Sequence, residues 1–170
     1  MWTKGVLMLK TLLSTDRSSS LFFQRLALGL VILPHGMQKL FGWFGGYGFE
    51  GTMGFFTGAL GMPAILGLLV ILTETLGALA LIVGLGTRLA AFGTIATMLG
   101  AIFMVHGSHG FFMNWGGTQG GEGFEYHLLV LALALPLAIK GAGSYAIDRA
   151  IVRALGRSPT ATIRPIANAA

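Results

Sequence analysis

Four long apolar blocks separated by glycine-rich breaks run through most of the chain, at about residues 21–44, 63–85, 89–105 and 124–139. The first three are near the ~20 residues that a helix needs to cross the hydrocarbon of a bilayer, and the fourth is short for a span, so it is expected to start within the preceding loop or to stand nearly upright. In hydrocarbon a backbone must satisfy its own hydrogen bonds, so four such blocks predict an all-α, polytopic membrane protein built as a four-transmembrane-helix bundle. Composition agrees. Of 170 residues 54% are hydrophobic and 10% charged, with a mean hydropathy of +0.77. Soluble domains carry about 25% charged residues.

The organisation follows the breaks. Residues 1–20 form a cytoplasmic N-terminal segment, 21–140 the transmembrane domain, 141–156 a cytoplasmic interfacial helix and 157–170 a flexible tail. Val6–Leu9 is too short and too interrupted by Lys10 for a secretory signal. The segment to Leu13 is expected to lie along the inner membrane surface. Gly45–Gly61 reads as an interfacial loop holding a short amphipathic helix, with Phe55 and Phe56 dipping into the boundary. Gly93, Thr97 and Ala101 recur every fourth position in the third block, as do Ala96 and Gly100, which permits close helix packing. Ile147, Ile151 and Leu155 share a stripe apart from Arg149 and Arg153, which predicts an amphipathic helix at the interface.

The net charge is +5. The basic residues cluster at the two ends and at Arg88 in the second connection, with Lys39 alone toward the other side. That is a positive-inside pattern, placing both termini in the cytoplasm of a multi-pass protein. It argues for contact with anionic lipid headgroups and against nucleic acid. The chain has no cysteine, so its own residues form no disulfide and bind no iron–sulfur cluster. In redox chemistry a cofactor, a quinone or a partner protein would have to carry the electrons.

The ionisable groups inside the blocks point to function, because such groups are costly in lipid and normally face a partner or a cavity. Glu74 lies mid-way along the second block. With antiparallel spans, residues 31 and 74 are expected at the same depth. Arg25 then lies about 9 Å to the cytoplasmic side and Lys39 about 12 Å to the external side. Arg25, His35 and Lys39 fall within about an 80° arc of the first helix. Glu74 is their natural counter-charge, with Arg25 a candidate partner from below and His35 or Lys39 from above. One reading is a proton-handling carboxylate or an anchor for a quinone or small substrate. The other is a buried ion pair that fixes helix pairing.

A second group is expected at the external mouth. His106 and His109 end the third block, and Glu122, Glu125 and His127 open the fourth. On a regular helix Glu125 and His127 point about 200° apart, so both join one site only if the helix start is irregular. His106, His109 and His127 are candidate metal ligands. They could equally exchange protons with a quinol headgroup. Trp43, Tyr47, Trp115 and Tyr126 read as interfacial belt residues.

Several motifs resemble the DoxX family in order and spacing. They are Arg25 followed by His35-Gly36-Met37-Gln38-Lys39-Leu40, Gly61-Met62-Pro63 before a span with a central Glu74, and Gly84-Leu85-Gly86-Thr87-Arg88-Leu89-Ala90-Ala91. Glu125-Tyr126-His127 and Gly141-Ala142-Gly143-Ser144-Tyr145-Ala146-Ile147-Asp148 complete the set, and Ala142 stands where the family usually has proline. The resemblance implies a four-helix bundle in the bacterial cytoplasmic (inner) membrane. It also implies a link to redox metabolism, through kinship with the DoxD subunit of thiosulfate:quinone oxidoreductase. The catalytic candidates are Glu74, His35 and Lys39; Arg25, Gln38, His106, Glu125 and His127 are the quinone-binding candidates. Membrane lipids, quinone, a redox protein and further copies of the chain are the expected partners. A non-enzymatic solute carrier, a scaffold, and a metal site at the external histidines are the alternatives.

Overall fold

The computed structural model describes residues 2–156. The segment read as a flexible tail, 157–170, lies outside the described residues. Among the described residues all regular structure is helical. The helices are α1 (Trp2–Leu13), α2 (Ser19–Phe41), α3 (Gly48–Gly54), α4 (Ala64–Val83), α5 (Thr87–Met104), α6 (Glu125–Lys140) and α7 (Ile147–Gly156). Three of them, α2, α4 and α5, are long and apolar enough to cross a membrane. The fourth, α6, has 16 residues and is about 24 Å long, short of a full span.

The inward faces of α2, α4, α5 and α6 pack on one another through Leu28, Ile32, Ile71, Leu81, Met98 and Leu137. Their outward faces carry exposed Phe23, Leu30, Ile65, Leu89, Phe103 and Leu129. A soluble protein rarely shows so much continuous apolar surface, whereas a helix facing acyl chains must.

Helix ends follow local chemistry. Ser18 caps α2, its hydroxyl accepting the Leu21 N–H at 3.3 Å. Gly84 closes α4 in the left-handed region, at φ 72°, and touches Ala146 and the Arg25 guanidinium where a Cβ would sit. Only glycine meets both demands. Phe55 is exposed but Phe56 is buried against Gly67. Phe56 therefore packs into the protein instead of dipping into the lipid boundary, because the glycine on α4 leaves a hollow for its ring.

The register of α2 against α4 also departs from expectation. Gly36 packs on the main chain of Glu74, and Gly29 on Ala78 and Ile82. Glu74 thus lies level with residue 36, not 31, a shift of about 7 Å. The two small residues let α4 slide to where the backbones approach most closely.

Candidate functional site

Glu74 sits in an irregular part of α4. Thr73–Gly77 forms a π turn, in which the Ala78 N–H bonds to the Thr73 carbonyl five residues back. Thr75 Oγ1 donates to the Ile71 carbonyl at 2.6 Å, an i−4 back-bond of the kind that loosens a helix. Such π turns occur often at functional sites. This one is gripped on both sides, by Gly36 of α2 and by Gly93 of α5, which meets the Thr73 side chain.

The Glu74 side chain points inward, 6% exposed, and pairs with Lys39 Nζ at 2.5 Å. Lys39 is three residues beyond Gly36, so the observed register brings it into reach. The same register leaves Arg25 eleven residues away from that level, about 16 Å along the helix. Arg25 is therefore not the counter-charge of Glu74. Its guanidinium, wholly buried, spends all five N–H donors on main-chain carbonyls. Nε donates to Ala142, Nη1 to Leu81 and Ile82, and Nη2 to Ser144 and Tyr145, at 2.5–3.2 Å. No donor is left over for a ligand. Two of these acceptors lie in the last turn of α4, the negative end of its dipole.

His35, one turn before Lys39, is exposed at the flank of α2 facing α6. Its Nε2 lies 3.5 Å from Tyr126 Oη, the outer limit of a hydrogen bond. Tyr126, read from sequence as a belt residue, instead stands half-buried beside His35. No sequence motif distinguishes it from a belt tyrosine, since its neighbour comes from another helix.

The loop 105–124 is zipped at its base. Phe124 N–H donates to Gly110 and Glu125 N–H to Phe111. This sets the start of α6 beside the end of α5, and the His106 and His127 rings lie 4.2 Å apart. His127 is 6% exposed, and its Nδ1 has no hydrogen-bond partner among the described residues. His106 Nδ1 bonds the Glu122 carbonyl at 2.8 Å.

The remaining candidates point elsewhere. Glu125 accepts from Trp115 Nε1 at 3.2 Å, on the loop side, while His127 turns into the bundle; the start of α6 is regular, so the two diverge. The Glu122 carboxylate accepts the Asn114 N–H. The His109 ring covers Gly121. Gln38 donates to the Phe44 carbonyl at 3.4 Å. Among the described residues no three His, Asp or Glu side chains converge as a metal site. A hollow on the outer face of α6, lined by Leu131, Leu135, Pro136 and Ile139, is apolar apart from Lys140. In lipid such a groove is filled by acyl chains, so the polar cluster is the candidate site.

The sequence pattern of the DoxX family matches residues 20–107, from the first turn of α2 to Gly107. The chain belongs to the DoxX family. That stretch holds Arg25, His35, Lys39 and Glu74. This DoxX protein is also similar to a Bacillus subtilis (strain 168) protein named "Putative oxidoreductase CatD". The two are 29% identical over 124 residues, 73% of this chain and 81% of that one. No solved structure matches the chain.

Proposed function

We propose that this DoxX protein is a membrane subunit of an oxidoreductase, binding a quinone at the Glu74–Lys39 pair. It works in a bacterial cytoplasmic membrane with four spans, α6 being the fourth, and both termini in the cytoplasm. The observation that carries the reading is the pair itself: a carboxylate presented by a π turn inside the bundle, with its lysine one-quarter exposed. An ion pair serving only to fix helices would be expected to be sealed on both sides. His35 supports a lipid-soluble ligand. It is exposed beside exposed Val31 and half-buried Tyr126, at the seam of α2 and α6. A headgroup arriving from the acyl side meets His35 first and Lys39 behind it.

The name of the B. subtilis relative agrees with redox work. Reduction of a quinone takes two electrons and two protons. A partner would supply the electrons, since this chain has no cysteine for a cluster or thiol relay. Lys39 and His35 would hydrogen-bond the quinone oxygens, and Glu74 would hold the proton to be exchanged. Purification in mild detergent followed by mass spectrometry of extracted small molecules tests this. Quinone should co-purify, and Glu74→Gln and His35→Ala should each release it. Full retention in both variants would reject the site.

A further inference from the structure

We infer that a proton path runs from the Glu74–Lys39 pair to the loop 105–124 through His35, Tyr126, His127 and His106. It rests on the reading of Glu74 as a proton-exchanging group, and adds the route and the side of the membrane it serves.

The path is assembled from four segments distant in sequence. Lys39 and Glu74 touch at 2.5 Å. His35 and Tyr126 follow, with Nε2 and Oη 3.5 Å apart. The Tyr126 and His127 rings meet edge to face, their centroids 5.6 Å apart, and a water reaching both polar atoms would complete that step. The His127 and His106 rings are in contact, their centroids 4.2 Å apart. His106 is half-exposed beneath a loop whose residues 115–120 are all exposed. Along the path Glu74 and His127 are buried, Lys39, Tyr126 and His106 half-buried, and His35 exposed.

The chemistry of the end groups suits transfer. A carbonyl only accepts, so the bond to Glu122 fixes the His106 proton on Nδ1 and leaves Nε2 free as a base. His127 keeps a nitrogen inside the bundle without a hydrogen-bond partner among the described residues. Tyrosine both donates and accepts. On the opposite side of Glu74 the described residues show no comparable chain: Gln24 of α2 has a buried Oε1 without a partner, but an amide does not titrate. Toward the termini its own helix offers only apolar and threonine side chains. Helix α5, which packs on the π turn through Gly93, carries no ionisable side chain after Arg88. Arg25 cannot relay, being permanently charged with every donor engaged.

The test uses the full chain in lipid vesicles, sorted by the accessibility of a C-terminal tag, with the pH set separately on the two sides. Dicyclohexylcarbodiimide adds only to protonated carboxyl groups in apolar surroundings, and the mass of the Glu74 peptide reports the labelling rate. The rate should change by up to about tenfold per unit of pH on the side of loop 105–124, and ignore the pH on the side of the termini. His127→Phe and His106→Phe keep an aromatic ring in place and should abolish that dependence. Tyr126→Phe, which loses one hydroxyl, should weaken it. A rate that follows the side of the termini overturns the path. So does a dependence that survives unchanged in all three variants. Quinone content measured on the same vesicles reports separately on the proposed function, so loss of quinone with loop-side labelling intact would reject that function and leave the path standing.

Discussion

Gly36 lies flat against the main chain of Glu74. A methyl group at position 36 would collide with the Glu74 carbonyl and come within 2.7 Å of Thr75 Cγ2. The obstacle is backbone, so it cannot swing away as a side chain would. The π turn that aims the carboxylate inward therefore depends on a missing side chain on the neighbouring helix.

Gly36→Ala should accordingly force α2 and α4 apart, at a cost of about 1–3 kcal/mol. It should lower the melting temperature in detergent and loosen retained quinone. Gly100→Ala is the control, because nothing lies within 4 Å of its Cβ position on α5. Alanine there should leave the melting temperature unchanged or raise it, by about 0.5–1 kcal/mol of helix preference. Equal effects at the two positions would remove the special status of Gly36.

Arg25 and Asp148 together hold the other end of the bundle. Arg25 gathers carbonyls from α4 and from the link before α7, while the buried Asp148 carboxylate accepts the Gly86 and Thr87 N–H groups that open α5, at 2.6 and 3.0 Å. Arg25→Lys keeps the charge but has three donors where five carbonyls wait, in a geometry a lysine cannot match. It should cost about 3–5 kcal/mol, the range for breaking a buried charged network, and be seen as lost membrane accumulation and early melting. A lysine variant as stable as the parent would show that charge alone, not the fork, is needed.

Asp148→Ala removes a helix cap and leaves two N–H groups without partners. The expected loss is about 1–2 kcal/mol. Asp148→Asn keeps one acceptor and should lose less. The order Asp, Asn, Ala in melting temperature checks this, and an Asn variant below Ala would contradict the capping role.

Helix positions and the polar residues worth watching were readable from sequence because both depend on local composition: an apolar run that ends in glycine, a carboxylate within such a run. Contacts between helices were not. The depth of Glu74 relative to α2 depended on how far the loop 42–63 carries the chain before α4 begins, and on which glycines meet. Equal span lengths gave residue 31, whereas Gly29 and Gly36 set residue 36. That difference moved the partner of Glu74 to Lys39 and took Arg25 out of reach. Tyr126 was overlooked for the same reason, since only the zipped base of loop 105–124 brings it beside His35. The π turn carries a faint local trace in Thr73 and Thr75 around Glu74, but threonines in a membrane helix more often back-bond without opening it.

A double-mutant cycle on Lys39 and Glu74 separates structure from chemistry. Removing either partner alone leaves a charge buried without compensation, so Lys39→Met and Glu74→Gln should each destabilise. Lys39→Met should cost more, about 3–5 kcal/mol, because the carboxylate it strands is 6% exposed, against 26% for the lysine. The double variant replaces the pair with two uncharged side chains of similar length and should recover part of that loss, since no charge is left buried without its partner. The coupling is read from melting temperatures of the four proteins in one detergent. Quinone content should not recover with stability: the double variant should stay as empty as the single ones. A pair that exists only to register α2 on α4 would behave differently, with the restored fold bringing back whatever the wild type binds.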